Sequence, residues 1–310
     1  GQIGSELTLK LREKYGNECV IASDIREGDK VLMNSGPFEI LDATDASALE
    51  DVIMHYDINQ VYLMAAMLSA TAEKFPMKGW HLNTETLFNV LNLAKDKKIN
   101  QIFWPSSIAV FGLSTPKHNT PQKTIMEPTT VYGISKQTGE RWCDYYYNRY
   151  GVDVRSLRYP GLISYKTKPG GGTTDYAIEI FHDALKYKKY TCFLKKDTAL
   201  PMMYMDDAIN ATIKIMSAPA SQIKLRSSYN LSAISVTPQK LSKSIQNHIP
   251  EFEIDYKPDF RQDIADSWPS SIDDSSSRED WGWENQYDLE NITEEMIEGI
   301  KPKVSIGFEG

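Results

Sequence analysis

Gly1-Gln2-Ile3-Gly4-Ser5-Glu6-Leu7-Thr8-Leu9-Lys10-Leu11-Arg12 opens the sequence, with two glycines followed by apolar residues at helical spacing. In a dinucleotide-binding unit, a glycine-rich turn follows a buried strand and leads into a helix whose positive end faces the pyrophosphate. Gly1 and Gly4 match the last two glycines of such a turn. The stretch therefore predicts a pyrophosphate contact from Gly1, Gln2, Ile3 and Gly4, although a helix can also begin in this way without a ligand.

An acidic residue follows at the distance that such a unit requires. Cys19-Val20-Ile21-Ala22-Ser23-Asp24 is a short strand-forming run, and Asp24 lies 20 residues after Gly4. An aspartate there binds the ribose hydroxyls of NAD and repels the extra phosphate of NADP. Arg26 would weaken this preference, but NAD remains the expected cofactor. The strand and first glycine of the fingerprint are not in the sequence, so we expect the natural chain to carry apolar residues and a glycine before Gly1.

Strand and helix patterns then alternate along the chain. The strand candidates are 38–42, 60–64, 101–105 and 152–159, and the helix candidates are 48–56, 80–97 and 130–150. Short β-rich runs separated by helices predict an α/β fold, a Rossmann-type doubly wound parallel sheet with ligands at the carboxyl ends of its strands. We assign residues 1–163 to an NAD-binding domain. Residues 164–310 would form mainly a smaller α+β C-terminal substrate lobe, with some segments returning to the first domain.

The second part of the chain contains a glycine cluster and shorter elements. Lys168-Pro169-Gly170-Gly171-Gly172-Thr173-Thr174-Asp175 precedes a helix predicted over 174–186, and it could present backbone N–H groups to an anion or act as a flexible hinge. Short strands are predicted at 190–194, 202–205, 229–231 and 252–256. The tryptophans between 263 and 287 are expected to pack rather than to lie in solvent.

Tyr132 and Lys136 form the chemically informative pair of the predicted helix 130–150. At positions i and i+4 they share one helix face, and a lysine cation close to a phenol lowers its pKa. Tyr132 would then be a general base and Lys136 the group that tunes it, with a serine of the Ser106-Ser107 pair holding the same substrate hydroxyl. The spacing also occurs by accident in ordinary helices.

Composition restricts the other function classes. The 310 residues are 41% hydrophobic with a net charge of −8, which argues against nucleic acid as a partner. Three widely separated cysteines and five scattered histidines suggest neither a disulfide framework nor a metal site. Since no window approaches 18 apolar residues and no leader is visible, we expect no membrane partner and a cytoplasmic location.

The sequence resembles the extended branch of the short-chain dehydrogenase/reductase superfamily, which combines Ser or Thr with Tyr-x-x-x-Lys and NAD(P). Its Ser-Ser-x-x-Val-Tyr-Gly-like segment is similar to Pro105-Ser106-Ser107-Ile108-Ala109-Val110-Phe111-Gly112 and points to Ser107 rather than Ser106. Within this branch the sequence resembles the short-chain L-threonine 3-dehydrogenase family. The segments that carry this likeness are 63–70, 158–164, 170–176, 201–207 and 266–269.

The resemblance implies oxidation of the β-hydroxyl of L-threonine by NAD to L-2-amino-3-oxobutanoate, with no metal, in a homodimer built from a helix bundle. It also implies a cytoplasmic enzyme, or one of the mitochondrial matrix in a eukaryote. Sugar-nucleotide epimerases and dehydratases of the branch typically carry an Arg-Asp pair that grips the diphosphate. Leu200 and Pro201 occupy these two positions. A sugar-nucleotide epimerase/dehydratase and a non-catalytic NAD-binding regulator remain the alternatives.

By this resemblance the site residues fall into three groups. The catalytic residues would be Ser107, Tyr132 and Lys136. The cofactor contacts would come from Gly1, Gln2, Ile3, Gly4, Asp24, Ile25, Arg26, Asp42, Ala43, Leu63, Ala65, Ala66, Asn83, Tyr132, Lys136, Tyr159, Pro160, Gly161, Leu162 and Ile163. The substrate contacts would come from Ser69, Ser107, Tyr132, Gly172, Thr173, Thr174 and Trp268, where Trp268 either closes over the ligand or packs in the core.

Overall fold

In the computed structural model, which describes residues 1–166 and 172–305, helices alternate with short strands. The helices are α1 (Gln2–Tyr15), α2 (Lys30–Asn34), α3 (Ala46–His55), α4 (Ser69–Lys74), α5 (Pro76–Lys95), α6 (Val131–Tyr150), α7 (Tyr176–Tyr187), α8 (Met205–Ser217), α9 (Pro238–His248), α10 (Arg261–Ser267), α11 (Ser275–Trp281) and α12 (Leu289–Ser305). The strands are β1 (Ala22–Asp24), β2 (Phe38–Ile40), β3 (Gln60–Tyr62), β4 (Gln101–Phe103), β5 (Ser106–Ser107), β6 (Asp153–Arg155), β7 (Leu157–Tyr159), β8 (Gly161–Ile163), β9 (Lys189–Cys192), β10 (Leu200–Tyr204), β11 (Tyr229–Asn230), β12 (Ile234–Val236) and β13 (Glu253–Tyr256).

The strands of the first half pair in parallel, as predicted for a Rossmann-type sheet. β1 pairs with β2, β4 lies between β3 and β6, and β7 lies between β5 and β11. β5 follows β4 along one path, and β7 follows β6 along the neighbouring path. The two paths stay adjacent between the ladders, since Trp104 N donates to Arg155 O at 3.0 Å. The carboxyl ends of β5 and β7 therefore open at the same edge of the sheet.

The strand predicted over 152–159 is in fact two strands, β6 and β7, which are interrupted at Ser156. The neighbouring path is interrupted at Trp104 and Pro105, and proline has no N–H to donate to a ladder. The pairing resumes with Ser106 opposite Arg158 and Ser107 opposite Tyr159.

Local sequence explains where α6 begins and ends. The side chain of Thr130 caps its first turn by accepting a hydrogen bond from Gly133 N at 3.1 Å, and Gly151 ends it with a left-handed φ of 72°. A second cap comes from α4, where Glu73 Oε1 accepts from Val131 N at 2.7 Å. The start of α6 is thus held by both local and distant contacts.

Separate apolar clusters lie on the two sides of the sheet. α5 and α6 pack over β4 and β6 through a buried cluster that includes Leu87, Leu91, Ile102 and Val154. α8 packs against α1 through Leu7, Leu11, Met205, Ile209 and Ile213, so a helix that follows residue 163 in sequence lies beside the first helix.

The second lobe is built around α7 and two small strand groups. β9 pairs in parallel with β13, while β10 pairs in parallel with β8 and antiparallel with β12. As expected, Trp268, Trp281 and Trp283 are all buried. None of the helices within 1–166 and 172–305 is long and apolar enough to span a bilayer.

Candidate active site

Ser107 and Tyr132 meet at the carboxyl edge of the sheet. Ser107 ends β5, and its hydroxyl accepts a hydrogen bond from Ala109 N at 3.2 Å in the following 3-10 turn. Tyr132 is the second residue of α6. The Ser107 side chain lies close enough to the Tyr132 phenol to lower its pKa, but burial is the larger effect and raises the pKa of Tyr132 to about 12.

Lys136 lies one turn along α6 from Tyr132, with its ammonium group 5.5 Å from the centre of the phenol ring. Nζ donates to the carbonyl oxygen of Pro105 at 2.6 Å and lies 4.5 Å from the ring centre of Trp104. Burial lowers the pKa of Lys136 to about 7. A buried amine of this kind carries only part of a charge at neutral pH.

These values correct one expectation from the sequence. We predicted that Lys136 lowers the pKa of Tyr132, whereas the pKa of Tyr132 in this structure is raised. The physical reason is that burial disfavours the phenolate and the ammonium alike. The predicted pairing in space is present, but the charge that would favour the phenolate is weakened.

Ser106 is committed to a different partner from Ser107. Its hydroxyl donates to Glu140 Oε1 at 2.7 Å, and both residues are buried. Arg158 also donates to this carboxylate, from Nε at 2.8 Å and from Nη2 at 2.7 Å. Ser106 is therefore not available to a substrate, which agrees with the choice of Ser107. This buried ion pair was not predicted from the sequence, although Glu140 continues the face of Tyr132 and Lys136 at i+8.

Asn83, a predicted cofactor contact, ties a loop to α6. Its Oδ1 accepts from Met67 N at 2.7 Å, and its Nδ2 donates to Met67 O at 3.1 Å and to Ser135 Oγ at 3.2 Å. This amide fixes the segment after β3, which contains the predicted residues Leu63, Ala65, Ala66 and Ser69. Leu63 is buried, Ala65 is exposed, and Ala66 and Ser69 are half-buried.

The residues predicted to contact the pyrophosphate and the adenosine ribose lie around the start of α1. The nitrogen of Gly1 lies 3.8 Å from Asp24 Oδ2, and a Cβ on Gly4 would lie 3.6 Å from Met64 Cβ. Ile3 packs against the apolar cluster under α8, whereas Gln2 Nε2 is buried and has no hydrogen-bond partner in the described part of the chain.

Further residues predicted near the adenosine lie at the ends of β1 and β2. Ile25 is 66% exposed and Arg26 is exposed. Thr44 donates from its N–H and its hydroxyl to Asp42 Oδ1, which lowers the pKa of Asp42. The carbonyl of Ala43 accepts from Asn89 Nδ2 at 3.0 Å.

Residues 159–163 lead from the sheet into the second lobe. The Tyr159 side chain lies in the core with its hydroxyl hydrogen-bonded to Thr212, so only its backbone is placed for a cofactor contact. A Cβ on Gly161 would lie 2.3 Å from Met202 Sδ and 2.7 Å from Thr174 Cγ2. Pro160 and Ile163 are buried and Leu162 is half-buried. The close contact brings a predicted substrate residue, Thr174, against a predicted cofactor residue.

The other predicted substrate residues are mainly buried. Thr173 is buried, and Gly172 N donates to Asp175 Oδ2 at 2.6 Å. Trp268 is 9% exposed and belongs to the apolar cluster against which Tyr132 packs. The first part of the predicted glycine cluster, 168–171, lies outside the described residues.

Known proteins resemble this chain over nearly its whole length. Residues 1–232 match the family model described as the NAD dependent epimerase/dehydratase family. An uncharacterized epimerase/dehydratase of Staphylococcus haemolyticus is 50% identical over 305 residues, which cover 98% of this chain and 96% of the relative. The solved structure of a GalE-like L-threonine dehydrogenase from Cupriavidus necator, in its holo form, is 56% identical, with a TM-score of 0.95 and 97% of each chain covered. A monomeric L-threonine 3-dehydrogenase of metagenomic origin, in its apo form, is 49% identical with a TM-score of 0.93, covering 98% of this chain and 97% of its own.

Proposed function

We propose that this chain, which belongs to the NAD dependent epimerase/dehydratase family, oxidises the β-hydroxyl of L-threonine to the ketone of L-2-amino-3-oxobutanoate with NAD. The approach of the Ser107 side chain to the Tyr132 phenol carries the proposal, because the two side chains together can bind one substrate oxygen. The likeness to solved L-threonine dehydrogenases at 49% and 56% identity supports the choice of substrate.

The residues of the chain divide the work as follows. Ser107 donates a hydrogen bond to the substrate's β-oxygen, and Tyr132, in its phenolate form, accepts the proton from that oxygen. NAD, when bound, supplies the hydride acceptor and a positive ring beside the phenol. Lys136, anchored on Pro105 O, holds its Nζ near the phenol and adds cationic character when protonated. Gly172, Thr173, Thr174, Ser69 and Trp268 would bind the carboxylate and ammonium of the amino acid.

The start of α1 fits a dinucleotide. Gln2 Nε2 is a buried donor with no hydrogen-bond partner in the described part of the chain. Asp24 approaches the same turn. We propose that residues 1–163 bind NAD and that 164–310 mainly bind the amino acid. Asp24 would select NAD over NADP by repelling the additional phosphate.

A Tyr132→Phe variant tests the assignment. Loss of a general base lowers turnover by roughly 10²-fold or more, and NAD still binds because the phenol is not its main contact. The control is Tyr146→Phe on the same helix. This variant also loses a tyrosine hydroxyl, which donates a hydrogen bond to Asn92 Oδ1 at 2.9 Å. Formation of NADH from L-threonine and titration of NAD binding measure both effects. Near-full turnover by Tyr132→Phe would refute the role of the phenol.

Two alternatives are disfavoured by particular residues. For a sugar-nucleotide epimerase, Leu200 and Pro201 offer no cation to a diphosphate, and both are buried in β10. A non-catalytic regulator would not need Ser107, Tyr132 and Lys136 to converge. Assaying threonine, serine, 3-hydroxybutyrate and a sugar nucleotide with NAD separates the three functions.

An aromatic face on α5 and α6 supports a homodimer. The ring centres of Phe88 and Trp142 are 5.0 Å apart, and those of Trp142 and Tyr145 are 5.5 Å apart. Trp142 is 37% exposed and Tyr145 is 47% exposed, so apolar surface remains for a second copy to cover. The metagenomic relative is monomeric, and the oligomeric state must therefore be measured for this chain itself.

The three cysteines support a cytoplasmic location. Cys19, Cys143 and Cys192 are all free, as is usual in a reducing compartment. Cell fractionation tests this location, since the protein should be found in the cytoplasmic fraction.

A further inference from the structure

Glu140 is a buried carboxylate that receives three hydrogen bonds beside the site. Ser106 Oγ donates to Oε1 at 2.7 Å, Arg158 Nε donates to Oε1 at 2.8 Å, and Arg158 Nη2 donates to Oε2 at 2.7 Å. Glu140 and Arg158 are both almost fully removed from solvent. A buried two-point ion pair of this kind fixes the relative orientation of the elements that carry it.

The elements joined by Glu140 are those that carry the reacting groups. Glu140 lies on α6 two turns after Tyr132, and Ser106 directly precedes Ser107 in a strand of two residues. The residue on the other side of Ser106, Pro105, accepts the hydrogen bond of Lys136. Pro105 and the two residues of β5 therefore each contact a different turn of α6.

The ion pair is in turn held by β11, on the other side of β7, and by the loop that precedes α6. Arg158 Nη1 donates to Asn230 Oδ1 at 2.9 Å and to Gln122 O at 3.1 Å. Asn230 Nδ2 donates to the carbonyl of Asp273 at 3.0 Å, close in sequence to Trp268. A shift of the Glu140 carboxylate together with Arg158 would therefore break the hydrogen bonds of Arg158 to Asn230 and Gln122.

We propose that Glu140 is a positioning residue, which keeps Ser107 beside the Tyr132 phenol by holding Ser106 and Arg158 against α6. It touches neither substrate nor cofactor. This role rests on the proposed function for its kinetic consequence, but its structural consequence can be measured without any substrate.

Two variants of different severity test the role. Ser106→Ala removes the link between Glu140 and β5 and leaves the ion pair intact. The double variant Glu140→Gln/Arg158→Met removes both charges together, since removing one would leave the other buried and unpaired. We expect kcat to fall about tenfold in Ser106→Ala and on the order of 10²-fold in the double variant, because small misplacements of reacting groups are costly.

Binding and the isotope effect separate positioning from general damage. The KM for L-threonine and the Kd for NAD should remain within about threefold, because no binding group has been removed. The deuterium isotope effect on kcat, measured with L-threonine deuterated at Cβ, should increase as bond cleavage becomes more rate-limiting. The control is Asp153→Asn, which breaks another ion pair of the same sheet, with Arg155 and Arg226. It should lower stability without changing kcat or the isotope effect per folded molecule.

Crystal structures of the ligand-free variants complete the test. The distance between Ser107 Oγ and the Tyr132 hydroxyl should increase in both test variants and stay unchanged in Asp153→Asn. Unchanged geometry, or wild-type kcat per folded molecule with an unchanged isotope effect, would overturn the positioning role. If the wild-type protein does not oxidise L-threonine, the proposed function fails, and the crystal structures alone then decide the role of Glu140.

Discussion

Replacing Gly133 with alanine should separate the serine and tyrosine of the site. Gly133 follows Tyr132 on α6 and packs against the turn that follows Ser107. A Cβ on Gly133 would lie 2.2 Å from the carbonyl oxygen of Ala109 and 2.7 Å from Pro128 Cβ. Because Cβ contacts below 3.0 Å are not tolerated, and the nearest atom is backbone, the start of α6 would have to move by about 0.8 Å or more.

A displacement of this size is large compared with the range of a hydrogen bond. O–H···O distances lie at about 2.5–3.0 Å, so the contact between Ser107 and Tyr132 would be broken or badly strained. We expect turnover in Gly133→Ala to fall by roughly 10²-fold, the effect of misplacing a reacting group by about 1 Å. Overpacking should also lower the free energy of unfolding by about 1–3 kcal/mol.

The assay is NADH formation from L-threonine, with thermal unfolding measured on the same samples. Gly151→Ala is the matched control, since it ends the same helix with a φ of 72° and has open space around its Cβ. It should lose about 1–2 kcal/mol of stability from the left-handed conformation but keep its turnover. If Gly133→Ala turns over at the rate of the control, the packing of α6 on the Ser107 turn does not set the reaction geometry.

Three further predictions concern charge and assembly. Burial lowers the pKa of Lys136 to about 7 from 10.5, so between these pH values the unfolded chain binds a proton at Lys136 that the folded chain does not bind. The free energy of unfolding, measured by urea titration relative to Lys136→Met, should therefore rise from pH 7 to 10.5. A difference that stays constant with pH would contradict the burial of Lys136. Asp24→Ala should improve kcat/KM with NADP relative to NAD by about tenfold or more, since like-charge contacts cost several kcal/mol; unchanged cofactor preference would remove Asp24 from the ribose site. Trp142→Arg should convert a dimer to monomers in sedimentation velocity, and an unchanged dimer would place the interface elsewhere.

The alternation of elements could be predicted well from the sequence. The helices over 48–56, 80–97 and 130–150 are found as α3, α5 and α6 with ends shifted by a few residues, because apolar spacing and caps such as Thr130 are local signals. The strand at 152–159 was predicted without its break. The interruption depends on the neighbouring chain at Pro105, which the sequence of 152–159 does not contain.

The spacing of the candidate catalytic side chains could be predicted from the sequence, but their pKa values could not. Tyr132 and Lys136 share a helix face by local geometry, whereas the approach of Ser107 could be inferred only through resemblance. The raised pKa of Tyr132 could not be predicted, because burial is a property of the packed fold. The ion pair of Glu140 with Arg158 could not be predicted for the same reason, since the packing of α6 on β5 and the pairing of β5 with β7 bring the two residues together.

Several contacts that position the reacting groups end on backbone atoms, and this determines which substitutions the site can tolerate. Lys136 binds the carbonyl of Pro105, and Gly133 packs on the carbonyl of Ala109. Such contacts depend on the path of the strand and not on the side chains at 105 and 109. The link from Ser106 to Glu140 is different, because it needs a specific hydroxyl and a specific carboxylate. Because β5 has only two residues, few ladder hydrogen bonds hold it in place. We therefore expect the backbone contacts to α6 to depend on the hydrogen bond from Ser106 to Glu140, which holds β5 against the helix.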